Sequence, residues 1–248
     1  MEIHQSAILG DNVKLGTNVH IGANVIVGDN TIIGDNVIIQ NNCEIGVYSG
    51  VGNTSPLIIG DNSIIRSQSI FYMGSVFGDN MVTGHRVTVR EGVIAGKNLQ
   101  VGTLTDIQGD CGIGDYVRMH SNVHVGKHSK IGNFVWIFPY VVLTNDPHPP
   151  SIIEKGVTVE DFVALSTMSV ILPGVVVKKD TLVGAHSLVS TNTVEGTLFA
   201  GNPAKEICPA SKLKLKDGSR HPAYPWRRHF HRGYPVDIVE NWKAEFEI

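Results

Sequence analysis

LGDNVK LGTNVH IGANVI VGDNTI IGDNVI, residues 9–38, is one six-residue phrase written five times without a break. Each copy opens on an aliphatic leader (Leu9, Leu15, Ile21, Val27, Ile33) followed by glycine. Two further residues lead to a small or β-branched side chain at position five, and the sixth position varies. A period this short and this sustained is a solenoid signature. A strand turns its side chains to alternate faces, so the leader and position five of one hexad can both point inward only if a corner intervenes. Gly and the Asp-Asn or Thr-Asn pairs, which tolerate left-handed backbone, supply that corner chemistry. Three hexads then close a triangular coil of about 18 residues, and coils stack about 4.8 Å apart through parallel ladders.

Outward from this stretch the register runs from Ile3 to Val189 with two interruptions. At residues 53–57, after the leader Val51, the phase slips by two and resumes at Ile59. This slip reads either as part of a nucleotide pocket or as a tolerated insertion. The second interruption, TNDPHPPSIIEKG at 144–156, is a loop by composition, and the hexads return at Val159. Roughly thirty hexads make about ten coils, a prism on the order of 45 Å long. The 27 glycines favour position two of the hexad, which implies regular corners rather than linkers. After Val189 the period is lost. The expected organisation is an all-β solenoid domain over residues 1–195, with loop 144–156 protruding, and an extension over 196–248. That extension is dense in Pro, Gly and cations. Pro235 suits the first turn of a final helix whose stripe Ile238, Val239, Trp242 and Phe246 would cap the open solenoid end.

Composition removes several function classes. The net charge is −3 with no long basic run, which argues against nucleic acid or an acidic membrane surface. No apolar run approaches the roughly 18 residues that cross a bilayer, and the first residues lack a signal-peptide pattern. Cys43 and Cys111 sit at position five of their hexads and Cys208 lies beyond them, a set matching no disulfide or zinc framework. A reduced, cytoplasmic compartment is the expectation.

SVILPGVVVKKDTLVGAHSLVSTNTVEGTLFAGNPAKEI, residues 169–207, resembles the terminal coils of acyl-CoA-dependent hexapeptide-repeat acyltransferases. That resemblance covers about three quarters of the chain and implies a left-handed parallel β-helix; the hand is not given by the period. It also implies that Gly201, Asn202 and Lys205, in a Gly-x-Pro-Ala-Lys turn, help bind acetyl-CoA or another short acyl-CoA. Small residues at Ala164, Thr167 and Gly184 would let the pantetheine arm approach the backbone. His186 departs from the family's usual glycine. The middle of the chain is similar to enzymes that acylate the amino group of a nucleotide-linked amino-deoxy sugar, a building block of surface polysaccharide. The shared elements are Gly84-His85, Arg90-Glu91, Ser121-Asn122-Val123 and Thr144-Asn145-Asp146. A protonated amine has no lone pair to attack a thioester, so a base or orienting acceptor is needed. On this reading His85 is the catalytic residue, with Glu91, Asn122 and Asp146 on the substrate.

Other histidines compete for that role. His120, His124 and His128 fall at positions two, six and four and project differently. Acyltransferases of lipid A synthesis, which this region resembles, have their catalytic His where this chain has Lys127. His148 stands in a loop loosely similar to one that carries a base in galactoside acetyltransferases, and His229 and His231 read as solvated or cation-paired. Three rival functions stay open. A γ-class carbonic anhydrase would place a zinc-ligating His where this chain has Arg90, so no metal is expected. An O-acetyltransferase acting on a sugar or serine hydroxyl would need a genuine base. A non-catalytic solenoid is the other class: an ice-binding face needs flat repeated Thr rows, whereas Thr here is scattered, and a pure scaffold would leave residues 201–205 and the loop without a purpose. Outward apolar residues at position six, such as Ile26, Ile32, Ile38 and Val142, point to assembly, and the resemblance implies a homotrimer with sites between subunits.

Overall fold

Each hexad folds as a two-residue strand and a turn. The strands pair position six with the next leader, as in Ile26–Val27, Ile32–Ile33 and Ile38–Ile39. In the computed structural model, which describes residues 1–50 and 54–247, successive strands fall in turn on three parallel sheets. The first sheet starts at Glu2–Ile3, the second at Ile8–Leu9 and the third at Lys14–Leu15. Within each sheet a strand pairs with the one a coil later, so that Ile26 lies beside Glu44 and Val27 beside Ile45. The result is a left-handed parallel β-helix. Leaders and position-five residues fill its axis, from Val19 and Ile21 to Val183 and Val189. Each buried aliphatic side chain contributes roughly 1.5–3 kcal/mol relative to exposure. Polar position-five residues are satisfied in place: Ser63 donates to Gly60 O at 2.8 Å and Ser129 to Gly126 O at 2.6 Å. Cys43 and Cys111 are both buried at position five, in the rows of the second and third sheets respectively, and burial pushes the Cys111 thiol up to about 11.

The corner residues divide the work more finely than the sequence suggests. Position four takes the left-handed conformation, with φ of 56° at Asn12, 53° at Asn18 and 56° at Asn24. These asparagines also form ladders, Asn18 Nδ2 donating to Asn36 Oδ1 at 3.0 Å. Apart from Gly46, at φ 82°, glycine at position two has ordinary φ and is required for space. Asp29 Oδ1 accepts from the Asp11 N–H at 2.8 Å, and it lies 2.3 Å from where a Gly10 Cβ would stand. The same crowding holds at mid-solenoid, where a Cβ on Gly60 would lie 2.5 Å from the Gly78 carbonyl carbon and 2.6 Å from Asp79 N. Gly60→Ala is therefore expected to cost about 1–3 kcal/mol through forced coil separation. A urea midpoint equal to the wild type would contradict it.

Both interruptions open at the same edge of the prism, between the second and third sheets. Where most coils repeat every 18 residues, Asp35 bonds Asp61 26 residues on, and Asn133 bonds Asp161 28 residues on. Val51 and Asn53, where the slip was expected to begin, lie outside the described residues.

The tail does two separate things. The antiparallel hairpin Thr197–Gly201 with Ala204–Pro209 extends the first sheet beyond Leu182–Val183 and so covers its last edge. The helix Val236–Glu245, with Pro235 as its N-cap, packs on the side of the solenoid instead of its open end. The cause lies in three corner residues. At position four of consecutive coils, Tyr116, Phe134 and Phe162 replace the usual asparagine at φ of 57°, 57° and 61°. Their rings stack at 5.1 Å between centroids, making an apolar rib on which Trp226, Tyr234 and Trp242 sit. Arg227, 2% exposed, pins this contact to Asp180 and Glu245 and lies over the Phe162 ring.

Candidate active site

One edge of the prism, between the first and second sheets, gathers most of the residues expected from sequence. His85 stands there, exposed, its Nδ1 2.8 Å from the Ser67 hydroxyl and its backbone N–H donating to Thr103 Oγ1 at 3.2 Å. Asn122 is two coils further, at φ 59°, its N–H donating to Thr103 O at 2.9 Å. Thr167 and Gly184 continue the same edge, where the His186 N–H donates to Thr167 O and Gly184 N–H to Phe199 O. The hairpin turn at Gly201 and Asn202 closes it, Gly201 N–H donating to Ser187 Oγ at 3.2 Å. Lys205 is exposed on the hairpin's outer strand.

Three residues fall elsewhere. Ala164 is buried on the first sheet beneath Trp226 and Phe230 of the tail. Glu91 stands on the second-to-third edge, because one hexad advances to the next corner while only a full coil returns to the same one. The structure therefore does not bring Glu91 beside His85. Its carboxylate takes both donors of Arg90, at 2.9 Å each, which hold it below the usual carboxylate range. Asp146 shares that second edge and shapes the loop, accepting from the N–H of His148 at 3.1 Å and Ser151 at 3.0 Å.

The three closely spaced histidines diverge. His128 places Nε2 3.2 Å from Glu154, and Lys127 lies between Asp110 at 3.6 Å and Glu154 at 3.5 Å. His120 stacks on Phe138 at 4.8 Å, and burial, then Arg118, lowers its pKa. His229 and His231 bind carbonyls of Ala223 and Arg227 within the tail.

His124 is the exception. It faces outward from the second sheet directly beside Asp106, with Nδ1 3.0 Å from Asp106 Oδ2. Gln108 Nε2 donates to the same oxygen at 2.7 Å. Burial works against the Asp106 charge, but the His124 and Gln108 hydrogen bonds outweigh it and the carboxyl lies below its usual value. An ionised carboxylate only accepts, so the neutral imidazole carries its proton on Nδ1 and leaves Nε2 free to take one. Arg90, over the Tyr72 ring at 5.1 Å, adds positive charge on the same face. Asp106 is the residue that motif reading missed. Its signal was arithmetic: His124 and Asp106 are one coil apart and share position six.

Beyond His124 the outward row of the second sheet turns apolar, through Val142, Val170 and Leu188. It runs parallel to the edge carrying Thr167, Gly184 and Gly201. From Leu188 to His124 is three coil steps, roughly 14 Å. The face thus joins a bare strip fit for a thin acyl-bearing arm to an oriented base. Among the described residues, no three His, Cys, Asp or Glu side chains come together to hold a metal ion.

Comparison with known proteins sets this face in context. Residues 1–102 match the family described as GMPPB C-terminal domain. Gamma carbonic anhydrase 2, mitochondrial, of Arabidopsis thaliana is 31% identical over 153 residues, 61% of this chain and 45% of that protein. A 2,3,4,5-tetrahydropyridine-2,6-dicarboxylate N-acetyltransferase of Staphylococcus aureus (strain bovine RF122 / ET3-1) is 34% identical over 93 residues, 38% of this chain and 33% of the enzyme. The chain spans less than half the length of these curated relatives. Among solved structures, Arabidopsis UDP-N-acetylglucosamine acyltransferase superposes with a TM-score of 0.66 at 17% identity, over 99% of this chain and 89% of that one. The chain has the hexapeptide-repeat β-helix fold, the fold of that solved acyltransferase.

Proposed function

We propose that the protein transfers an acetyl or other short acyl group from acyl-CoA to the amino group of a nucleotide-linked amino-deoxy sugar. The observation that carries the reading is the Asp106–His124 pair at the end of the apolar strip. The acyl-CoA enters past Gly201 and Asn202, with Lys205 near its phosphates, and lies along Gly184 and Thr167 toward Asn122. The amine nitrogen attacks the thioester carbonyl, forming the C–N bond, and the C–S bond breaks. The amine proton passes to His124 Nε2 and on to the departing thiolate, which leaves as coenzyme A thiol. His85, on the same edge, binds the acceptor rather than taking its proton. Acyl-CoA and nucleotide-sugar reactants place this chemistry in the cytoplasm; among the described residues no helix is long and apolar enough to cross a membrane.

A homotrimer completes the proposal. Ile26 is 47% and Ile94 64% exposed on flat sheet faces, apolar area that closed three-fold packing would cover. Asp146 and Glu91, which do not share the His85 edge within one chain, then act across a subunit boundary. A hydroxyl acceptor is the second reading, since the same dyad can take the proton that an alcohol must lose as it attacks. Offering the amino sugar and its hydroxyl counterpart side by side separates the two. Acetyl-CoA binding is tested by thermal shift. At a hundredfold excess over its dissociation constant a ligand adds about 2.7 kcal/mol of native stability, so the melting temperature should rise. No rise at millimolar acetyl-CoA would remove the reading.

A further inference from the structure

Across the first-to-second edge from His124, the outer face of the first sheet holds a recess of about 450 Å³. Arg66, Arg118 and Arg232 line it together with His120 and Trp136, and no carboxylate does. Among the described residues, none of these three guanidinium groups is ion-paired with an acidic side chain. Arg66 and Arg118 are nonetheless held in place by hydrogen bonds. Arg66 donates to Thr83 O. Arg118 lies between the rings of Trp136, at 4.9 Å, and Tyr234, at 4.7 Å, and donates to Gly233 O at 3.2 Å. Arg232 comes from the docked tail, its guanidinium 5.9 Å from the Phe230 ring. Next to the cations, His120 and Phe138 stack at 4.8 Å with Trp136 6.0 Å from Phe138, an aromatic platform on the same sheet.

Three guanidinium groups without a counter-charge, two of them fixed, call for an anion, and arginine forks suit phosphate oxygens. An aromatic platform beside them suits a planar ring. We propose that this recess binds the nucleoside diphosphate of the acceptor, with the C-terminal tail supplying Arg232. The inference rests on the acyltransferase reading and deepens it. Thr103 and Ser121 form both the rim of the recess and the shared edge, so a sugar attached to the diphosphate passes over Asn122 to His124. The tail is then part of the acceptor site, and its docking on the Tyr116–Phe134–Phe162 rib sets the position of Arg118 and Arg232.

Titration calorimetry of the full chain, without any acyl donor, tests this with UDP, dTDP, GDP and inorganic pyrophosphate. At least one nucleotide is expected to bind more tightly than pyrophosphate and to quench tryptophan fluorescence. Arg232→Glu, on an exposed side chain, should weaken both that nucleotide and pyrophosphate at least tenfold; Arg66→Glu should do the same. The inference is overturned if none of the four binds, if Arg232→Glu changes nothing, or if pyrophosphate binds as tightly as every nucleotide. Acetyl-CoA thermal shift and thiol release run on the same samples keep the two ideas apart. Acyl transfer that persists with no nucleotide binding sinks the recess and leaves the proposed function standing.

Discussion

His124→Ala is expected to lower kcat for acyl transfer by about 10²- to 10⁴-fold, the range for removing a positioned general base. The acetyl-CoA thermal shift should survive, because the apolar strip and the Gly201–Asn202 turn are untouched. Asp106→Asn tests the same step from behind. An amide can offer an N–H to Nδ1 and so permit the tautomer that leaves Nε2 protonated, which cannot accept a proton. Turnover should fall toward the His124→Ala level while the acceptor's KM changes little. His85→Ala should behave differently. Its imidazole contacts Ser67 and solvent, with no carboxylate to orient it, so the expected effect is a raised KM for the acceptor with kcat largely kept. Loss of kcat in His85→Ala with normal turnover in His124→Ala would exchange the two roles.

Arg227→Met is expected to release the tail. Arg227 is buried between Asp180, Glu245 and the Phe162 ring, and removing it leaves the half-enclosed Asp180 carboxylate without its cation. Breaking a buried pair this way costs about 3–5 kcal/mol. The protein's three tryptophans, Trp136, Trp226 and Trp242, all meet at this contact, so undocking should red-shift the whole emission. Adding Asp180→Asn should recover part of the loss, since the stranded charge is gone. Acid should act in the same direction. Glu245 is held below the usual carboxylate range chiefly by its hydrogen bond to Arg227. Its contribution is therefore full at neutral pH and fades as pH falls from that range through the lowered value. For Asp180, burial outweighs Arg227 and raises the carboxyl, so its protonation favours the docked state and offsets part of the loss at Glu245. Emission unchanged in Arg227→Met would mean that the aromatic rib alone holds the tail.

The division between what could and could not be read from sequence follows the geometry of a coil. The leaders and position five repeat locally, so Ile21, Val27 and Ile33 declared the core and the corners without any tertiary information. The same local view credited glycine and the Asp-Asn or Thr-Asn pairs jointly with the left-handed turn; Asn12 and its successors take it, while Gly10 makes room for Asp29. Contacts that need a full coil were harder. Asp106 meets His124 only after 18 residues, and Glu91 looked close to His85 because six residues are few along the chain yet a whole corner around the prism. The tail carried least of all. Its apolar stripe was legible, but the rib that receives it consists of three aromatic residues at position four, each unremarkable alone within its hexad. Residues 66, 118 and 232 converge for the same reason, through stacking and docking rather than through any motif.

The central claim is that acyl-CoA gives up its acyl group to an amine at the His124 edge. It is tested most directly by following thiol release from acetyl-CoA in the presence of a panel of nucleotide-linked amino sugars, with product mass read in the same reactions. The account predicts thiol release with at least one acceptor, a product heavier by one acetyl group on its amine, and near-complete loss of both in His124→Ala. Thiol release and acetylated product undiminished in His124→Ala, or no acetylated product from any acceptor, would contradict it.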